Sequence, residues 1–513
     1  MKTNERMTPR VSGKIFRQAA LLVAAVGLII AAADVSASEL WFGAATADIT
    51  PDRPVPLTGN ASVRIAREIQ SRLTANVLAL ESREGDRVVD QAILVSCDLC
   101  VIRPGIQKGF RKHLAGKLRG FDLNKLFLAA THTHAAPVIL QNRYDEKDYG
   151  DAMQPKEYVP WMYQRMAVAV VKAWESRAKG AVAWGLGHAV AGHNRRVVYS
   201  DGTAKMYGAM NIPEFRGIEG YEDHGVQVLC FYDSQKRLKA AAISLATTAQ
   251  AAGGNKVSAD FWHDVRRLIR ERHGEDVCVL GFCAAAGDQT PRAHVNKNSE
   301  NRMCKLRDLT YCEEIGRRVA GAFEDVAGVI ANDIRADVPL VHRVRQVELP
   351  ARIITEAEYT VAKKVCEEID GRKTRKNTDA WTRHFYGLVA ERYLAQQKGG
   401  WKTYTLEMHV LRLGDVAIAT NPFELFVDYG VQIQARSPAV QTFLIQLATS
   451  SQHPAYYVPT PRAVAGGSLN EKPFTNYSAT AAANMIGPEG AQVLVERTVE
   501  TINELWKPPA KRN

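Results

Sequence analysis

Residues 126–137 read Leu126-Phe127-Leu128-Ala129-Ala130-Thr131-His132-Thr133-His134-Ala135-Ala136-Pro137. The apolar part, 126–130, predicts a buried β-strand. Because side chains on a strand alternate between its two faces, His132 and His134 are expected to project from the same side at the strand's end. Two imidazoles placed in this way are typical ligands of one divalent metal ion. A metal-assisted hydrolase is the first hypothesis. The alternative is a pair of core or turn histidines that happen to lie two residues apart.

The rest of the chain alternates apolar, β-rich runs with longer amphipathic stretches, which indicates an α/β fold. Strands are predicted near 74–81, 91–97, 124–130, 181–187, 225–232, 239–246, 276–283, 339–348, 404–412 and 441–447. Helices are predicted near 104–118, 156–177, 260–273, 309–331, 355–369, 377–397, 422–435 and 489–506. We expect mixed β-sheets flanked by helices, in a single large catalytic domain over residues 38–513.

Four polar or glycine-rich loops exceed the usual length of a connection between elements. They span about 141–155, 197–223, 289–308 and 462–488. Each is a candidate for a pocket wall or a lid, and a tolerated surface insertion is the alternative in each case.

The first 37 residues have the organisation of a secretory signal peptide. Five basic side chains precede an apolar stretch over 19–33, and Val35-Ser36-Ala37 follows it. A retained membrane anchor is the alternative, but the apolar stretch has 15 residues and a spanning helix needs about 20. We therefore expect cleavage near Ala37 and a secreted or periplasmic mature protein.

Loss of residues 1–37 removes five basic and two acidic side chains and lowers the formal net charge from +11 to +8. A basic surface favours anionic envelopes or acidic polymers. Nucleic acid is not predicted as a partner, because the basic residues are scattered and form no recognised binding motif. Export would permit disulfides, with Cys304 to Cys312 as one pairing, but eight cysteines are few for a disulfide scaffold of this length.

Five stretches occur in an order that resembles one protein family. They are Gly43-Ala44-Ala45-Thr46-Ala47-Asp48-Ile49-Thr50-Pro51, Thr131 to Pro137, Asn194-Arg195-Arg196, Ser258-Ala259-Asp260-Phe261 and Ala286-Gly287-Asp288-Gln289-Thr290-Pro291. Over roughly residues 42–465 the chain is similar to the neutral/alkaline, non-lysosomal ceramidases. The resemblance covers their catalytic domain, and we expect the C-terminal β-sandwich that many members carry to be absent.

The resemblance implies a metal site. In that family one zinc ion is held by the first histidine of the Thr-His-Thr-His motif, a second histidine, a glutamate and a tyrosine. His132, Glu424 and Tyr457 match three of these ligands, for Zn²⁺ or a similar divalent ion. Glu424 also has an alternative role, because Asn421 and Pro422 before it form a helix N-cap with a capping box. The alternative for Tyr457 is aromatic packing.

The resemblance also implies catalytic residues. His134 matches a histidine that hydrogen-bonds in the pocket and moves protons, and Arg195 matches the pocket arginine of the family. Asp288 of the Gly-Asp loop is a further catalytic candidate. The alternatives are a turn at Gly287-Asp288 and a solvated pair at Arg195 and Arg196.

Two positions depart from the family. Its second histidine ligand belongs just after the strand near 239–246, where this chain has Gln250, whose neutral oxygen is a poor zinc ligand beside imidazole. His193, His224 and His453 are candidates to compensate for the missing imidazole. The family also has a serine three residues before the glycine of the Gly-Asp loop. Ala284 stands there, so covalent catalysis at that position is excluded.

These observations predict an exported, zinc-dependent amidohydrolase that cleaves amide bonds in N-acyl, ceramide-like compounds with metal-activated water. The metal and Arg195 would stabilise the oxyanion, and His134 would accept a proton and return it to the leaving group. A small-molecule or lipid substrate, a role in lipid metabolism and a peripheral membrane association follow from the resemblance. The alternatives are an inactive relative that binds envelope lipid or polysaccharide, and a metal-dependent esterase.

Overall fold

The computed structural model describes residues 38–507 except 142, 450, 452 and 473–475. The predicted signal peptide, 1–37, lies outside these described residues. Ser38–Lys507 form one unit by their mutual contacts. In the part of the chain that is described, no helix has both the length and the apolar character needed to cross a bilayer.

The described residues contain twenty-four strands. In chain order they are β1 Glu39–Asp48, β2 Val55–Leu57, β3 Arg64–Ala66, β4 Glu68–Ile69, β5 Thr74–Glu84, β6 Arg87–Cys97, β7 Leu126–Ala130, β8 Ala178–Lys179, β9 Ala181–His188, β10 His193–Asn194, β11 Arg196–Tyr199, β12 Ala204–Met206, β13 Phe215–Ile218, β14 Gly225–Tyr232, β15 Leu238–Leu245, β16 Lys256–Val257, β17 Cys278–Cys283, β18 Gln289–Thr290, β19 Leu340–Pro350, β20 Thr403–Leu413, β21 Val416–Thr420, β22 Glu424–Leu425, β23 Gln441–Ile445 and β24 Tyr457–Val458.

The same residues contain ten α-helices. They are α1 Ile106–Leu114, α2 Pro155–Glu175, α3 Phe261–His273, α4 Lys297–Leu306, α5 Tyr311–Ile330, α6 Glu356–Asp370, α7 Asp379–Gln397, α8 Val427–Arg436, α9 Pro461–Ala465 and α10 Pro488–Trp506. The prediction of an α/β fold with mixed sheets and flanking helices is confirmed.

Three large sheets organise the fold. Their strand orders are β7-β6-β5-β1-β8, β17-β15-β14-β9 and β19-β20-β21-β23. Most neighbouring strands are antiparallel, but each sheet contains one parallel pair, namely β6 with β7, β15 with β17, and β21 with β23. Ligand sites in α/β proteins form at the carboxyl ends of parallel strands. A functional site is therefore expected in the segments that follow these strands.

The three sheets share one apolar core. Leu78, Leu229 and Ile418 represent the contributions of the first, second and third sheet to it, and all three are fully or almost fully buried. The other face of each sheet packs against helices: α1 and α2 cover the first sheet, α3 and α5 the second, and α6, α7, α8 and α10 the third. Because both faces of every sheet are covered, the strand ends at the site rest on a packed scaffold.

Several local predictions differ from the structure. Strand β1 was not predicted, because its alanines have low β-propensity and the strand depends on its pairing with β5. Helix α4 was predicted as part of the loop 289–308 and is mostly exposed. The predicted helix 422–435 begins only at Val427. The pairing of Cys304 with Cys312 is wrong, since all eight cysteines are free and buried.

Candidate metal centre and active-site cavity

His132 is held by the backbone that follows β7. The strand ends at Ala130, and His132 has the left-handed φ of 69° that a non-glycine residue rarely adopts. Strand alternation was expected to project His132 and His134 from the same side. That reason is wrong, because β7 ends two residues before His132. The ring is almost completely buried, and its Nδ1 lies 2.6 Å from the carbonyl oxygen of Cys100. Nδ1 donates to that oxygen, so Nε2 keeps its lone pair free for a ligand.

Glu424 is placed opposite His132 by a short parallel strand pair. Strand β22 pairs with β24 in a register that sets Glu424 beside Tyr457. The capping alternative for Glu424 is wrong, because α8 begins three residues later and the amide of Glu424 donates to the carbonyl of Tyr456 over 3.0 Å. Oε2 of Glu424 lies 3.5 Å from Nε2 of His132. The carboxylate therefore faces the free nitrogen of the imidazole.

His134 faces the same nitrogen from another side. Its Nε2 lies 3.3 Å from Nε2 of His132 and 2.8 Å from the side-chain nitrogen of Gln250. Since an amide nitrogen donates, Nε2 of His134 accepts this bond and carries no proton. Burial, with further contributions from His132 and Arg195, lowers the pKa of His134 well below its usual range. His134 is therefore a neutral imidazole at neutral pH.

Backbone contact fixes the position of the His134 ring. Gly59 has a φ of 92°, and a Cβ at this position would lie 2.4 Å from Cγ of His134. Only glycine combines this backbone conformation with such a close approach. Arg64 adds a hydrogen bond from Nη2 to the carbonyl oxygen of His134 over 2.5 Å. The imidazole is held between Gly59 on one side and Gln250 on another.

Tyr457 and Tyr477 line the cavity as a phenol pair. Their hydroxyl oxygens are 3.4 Å apart. Burial, and after it the nearby charge of Glu424, raises the pKa of Tyr457 well above its usual range, and burial raises the pKa of Tyr477 to about 12. Both phenols are neutral without a cation. Ligation through a Tyr457 phenolate would require a positive charge close by.

Arg195 and Asp288 lie behind the cavity wall. The guanidinium of Arg195 donates to the Tyr207 hydroxyl over 2.9 Å and to the Gly287 carbonyl over 2.7 Å. Its centre lies 5.7 Å from the ring centroid of Tyr457. The alternative of a solvated arginine pair is wrong, since Arg195 and Arg196 are both buried. Arg196 forms a bidentate ion pair with Glu219, at 2.5 and 3.0 Å.

Asp288 has both carboxylate oxygens engaged. Oδ1 accepts a hydrogen bond from the Val427 amide at 3.0 Å, and Oδ2 accepts one from the Asn194 side chain at 2.8 Å. Burial raises the pKa of this carboxyl to about 6. The Gly287-Asp288 loop packs closely against β22, since a Cβ at Gly287 would lie 2.2 Å from the carbonyl oxygen of Glu424. Asp288 thus ties the start of α8 to β10, and it does not itself line the described cavity.

The cavity in front of these residues has a volume of about 110 Å³. The residues that line it are Gly59, Ala61, Cys100, Val101, Arg103, His132, His134, Arg143, Trp381, Phe385, Glu424, Tyr456, Tyr457 and Tyr477. Of the four long loops, 141–155 and 462–488 contribute to this lining, whereas 197–223 and 289–308 contribute none of the described lining residues. Sequence reasoning missed Cys100, the two arginines and most of the aromatic residues.

The compensating histidines proposed from the sequence are not in the cavity. His193 and His224 approach Glu222 instead, at 3.4 and 3.6 Å. His453 stacks on Trp401, with ring centroids 4.3 Å apart. Gln250 therefore remains the side chain at the position expected for the second histidine, and it reaches the site through His134.

The donor set fits a divalent cation. Two ligands bound at about 2.0 to 2.2 Å around a tetrahedral ion lie roughly 3.3 to 3.6 Å apart. The separation of Nε2 of His132 from Oε2 of Glu424, 3.5 Å, agrees with this. Two unprotonated Nε2 atoms that face each other are repulsive unless a cation or a proton donor lies between them. The residues present thus suit a metal such as Zn²⁺.

A cysteine is also close to the two histidines. Among the described residues, ligand atoms of Cys100, His132 and His134 lie within 4.8 Å of one another, so this cluster could hold a metal. However, Sγ of Cys100 is 4.0 Å from Nδ1 of His132, which already donates to a carbonyl. Burial raises the pKa of the thiol to about 12, away from the thiolate that metals prefer. We therefore favour Glu424 over Cys100 as the partner of His132.

Two solved structures have the same fold. Neutral ceramidase from Pseudomonas aeruginosa is 18% identical to this chain, with a TM-score of 0.64, over 91% of this chain and 74% of that chain. A ceramidase complexed with C2 is 17% identical, with a TM-score of 0.63, over 93% of this chain and 77% of that chain. The sequence matches no family model and no curated protein. The likeness establishes a ceramidase-like fold for this chain.

Proposed function

We propose that this protein is a metal-dependent amidohydrolase that cleaves N-acyl compounds. The observation that carries this proposal is the convergence of His132, His134 and Glu424 at separations of 3.3 and 3.5 Å in one cavity. The fold shared with two ceramidase structures supports the reaction class. Zinc dependence and the substrate are parts of the proposal.

His132, Glu424 and Tyr457 would hold the cation, which when bound would polarise a carbonyl oxygen and lower the pKa of water towards about 7. The Cys100 carbonyl orients His132 so that Nε2 points into the cavity. The negative charge of Glu424 offsets part of the charge of the cation. Burial of all three side chains excludes bulk water and strengthens these interactions.

His134 would move the proton. Its lowered pKa keeps Nε2 unprotonated at neutral pH, within 3.3 Å of the atom of His132 that faces the cavity. A base must lie within hydrogen-bond reach of the proton that it takes. Gly59 fixes the ring, and the Gln250 amide, which donates to Nε2, would turn its oxygen towards that atom as the proton is accepted there and then returned to the leaving amine.

Arg195 and Asp288 would act as positioning residues. Arg195 reaches the site through the face of Tyr457 and the carbonyl of Gly287. Asp288 holds the start of α8, directly after the strand that carries Glu424. Their positions behind the cavity wall favour these roles over the direct catalytic roles that the sequence suggested.

The test combines metal analysis with turnover. The purified protein is assayed for zinc and for hydrolysis of matched N-acyl amides and O-acyl esters, with and without chelator. Amide hydrolysis that chelator abolishes and zinc restores is the expected result, with His132→Ala inactive. Absence of metal, together with full activity of His132→Ala, would refute the mechanism. Ligand binding without turnover would favour the alternative, an inactive relative of the ceramidases. That alternative is suggested by Gln250 and Ala284, which stand where the family has a histidine and a serine.

We further propose that the protein is exported, with peripheral membrane association through its basic surface. The support is the order of basic, apolar and small residues in 1–37 and the charge of +8 that remains without them. Fractionation of expressing cells, followed by determination of the N-terminus of the mature chain, is expected to find a start near residue 38 outside the cytoplasm. A chain in the cytoplasm that keeps Met1 would refute export.

A further inference from the structure

Two arginines in the cavity have no anionic partner. Arg103 and Arg143 line the same cavity as His132, His134 and Glu424, and each is only 8% exposed. Among the described residues, neither guanidinium lies within ion-pairing distance of a carboxylate, whereas the buried Arg196 and Arg266 both have one. The buried Arg195 and Arg392 also lack a carboxylate, but they donate to hydroxyl or carbonyl oxygens, which the two cavity arginines do not within the described part of the chain.

Two buried hydrogen-bond donors of Arg143 are also unused within the described structure. Nε and Nη1 of Arg143 are buried and donate to no atom in the described part of the chain. Its guanidinium lies 5.4 Å from the ring centroid of Tyr144 and 5.7 Å from that of Phe385, and that of Arg103 lies 5.6 Å from Tyr456. Aromatic faces at this distance attract a cation but accept no in-plane N–H bond. Burial of a charged group without such bonds is costly, so these donors favour a ligand that brings acceptors into the cavity.

The charge of the cavity favours an anion. Glu424 is the one carboxylate in the described lining, against the two arginines. The two guanidinium charges also affect the nearby His384. Burial is the larger cause, and the two charges add to it, so that the pKa of His384 is lowered to about 4. A divalent cation at His132 and Glu424 would make the cavity more positive still. A guanidinium fork matches the two oxygens of a carboxylate or another oxyanion.

From this geometry we propose that Arg103 and Arg143 bind an anionic group of the substrate. This inference rests on the proposed function, which it narrows to N-acyl compounds that carry an acidic group close to the scissile amide. One cavity of about 110 Å³ contains both the arginines and the candidate catalytic residues, so the acidic group and the amide must be near neighbours in one molecule. Neutral ceramide, which carries hydroxyl groups there, could accept hydrogen bonds from the two guanidinium groups but would leave their charges without a counter-charge.

Three amides with one acyl chain test the proposal. N-octanoylglycine carries a carboxylate, N-octanoyltaurine a sulfonate and N-octanoylethanolamine a neutral hydroxyl. The protein is expected to hydrolyse either anionic amide with a kcat/KM about tenfold or more above that of the ethanolamide, because charge-assisted hydrogen bonds are stronger than neutral ones. Equal kcat/KM for all three amides would overturn the inference while leaving the proposed hydrolase intact.

Substitutions assign the preference to the two arginines. Arg103→Gln and Arg143→Gln are each expected to lower kcat/KM for N-octanoylglycine by roughly 10- to 100-fold and to change that for the ethanolamide less than about threefold. Lysine at either position should restore part of the loss. Arg302→Gln removes the same charge from an exposed site on α4 and is expected to change neither value. Parallel losses on all three amides would contradict a role in anion binding.

Binding without turnover separates the two proposals. Titration calorimetry with chelator present compares N-octanoylglycine with N-octanoylethanolamine on the native protein and on each variant. Tighter binding of the glycine amide that depends on both arginines supports the anion site, whether or not an amide is hydrolysed. If no amide is hydrolysed, only the proposed hydrolase function is refuted. Equal binding of the two ligands would overturn the site. Should a glutamine variant not fold, the comparison of ligands on the native protein still decides.

Discussion

Nε2 of His132 lies 3.5 Å from Oε2 of Glu424, and the two side chains reach this separation from different sheets. His132 follows β7 of the first sheet, and Glu424 follows β21 of the third. If this pair binds the metal, His132→Ala and Glu424→Gln should each reduce zinc from about one ion per chain to a small fraction of that. Cys100→Ser should retain the metal, because the sulfur lies on the Nδ1 side of the imidazole. Metal analysis after dialysis measures all three. The opposite pattern would identify Cys100 as the ligand in place of Glu424.

Gln250 occupies the region of the missing histidine, next to His134. Gln250→His is expected to increase the affinity for zinc about tenfold or more, because a neutral amide is replaced by imidazole. Competition with a zinc-binding dye gives the dissociation constants. Gln250→Ala serves as the control and should give no gain. An unchanged constant for the histidine variant would mean that residue 250 does not face the ion.

Gly59 allows the chain to pass against the ring of His134. Gly59→Ala should lower stability by about 1 to 2 kcal/mol from its positive φ, and it should also displace His134 and abolish activity. Gly399 has a similar φ of 81° with open space around it. Gly399→Ala should therefore show the loss of stability and keep full activity. Urea unfolding of both variants measures the backbone strain of a positive φ, and an activity assay measures the effect of the contact with His134. Equal activities would show that Gly59 does not position His134.

His384 provides a prediction for the pH dependence of stability. Burial lowers its pKa to about 4, and its Nε2 contacts the Tyr456 hydroxyl at 3.0 Å. In the unfolded chain the pKa is about 6.5. The unfolded state therefore binds the extra proton first as the pH falls below 6.5, and this lowers stability down to about pH 4. Between pH 7 and pH 5 this contribution is roughly 1 to 2 kcal/mol. Urea unfolding of His384→Gln should show a shallower loss over this range, and an identical pH dependence would contradict the assignment.

Asp98 joins the core to the loop that carries His132. It forms a buried bidentate pair with Arg266 at 2.7 and 3.0 Å and accepts a hydrogen bond from Thr131, the residue before His132, at 3.2 Å. Asp98→Ala should destabilise the protein by about 3 to 5 kcal/mol, because it leaves a buried guanidinium without its partner. Asp151 pairs with Arg67 at the exposed surface, and its replacement should have little effect. Thermal unfolding of both variants makes the comparison.

The part of the site that could be predicted from the sequence is the part where a local residue pattern also determines the position in the fold. The run 126–130 has the apolar character of a buried strand, and the histidines that follow it do share one cavity. Their convergence, however, comes from the left-handed backbone at His132 and from the contact with Gly59. Neither is visible in an alternation rule. The strand was predictable because burial determines it, but the geometry of the loop was not.

The arginines and aromatic residues of the cavity could not be predicted from local pattern. Arg103 and Arg143 belong to connections whose course depends on tertiary packing. Trp381 and Phe385 lie on a helix that was predicted, at a spacing that places them on one face, but the sequence does not reveal which surface that face covers. Glu424 was ambiguous because the residues before it suit a helix cap. The pairing of β22 with β24, a long-range contact, determines its position beside Tyr457.

The three sheets that share a core also have a consequence for tolerance to mutation. His132, Gln250 and Glu424 follow strands of three different sheets, so their alignment depends on how accurately those sheets dock at residues such as Leu78, Leu229 and Ile418. A truncation in that shared interior would tilt one sheet against another by a fraction of an ångström while the chain stayed folded. The rate of the proposed hydrolysis would then decline at temperatures well below the melting transition, and it would report on the packing of the interior more sensitively than the melting temperature does.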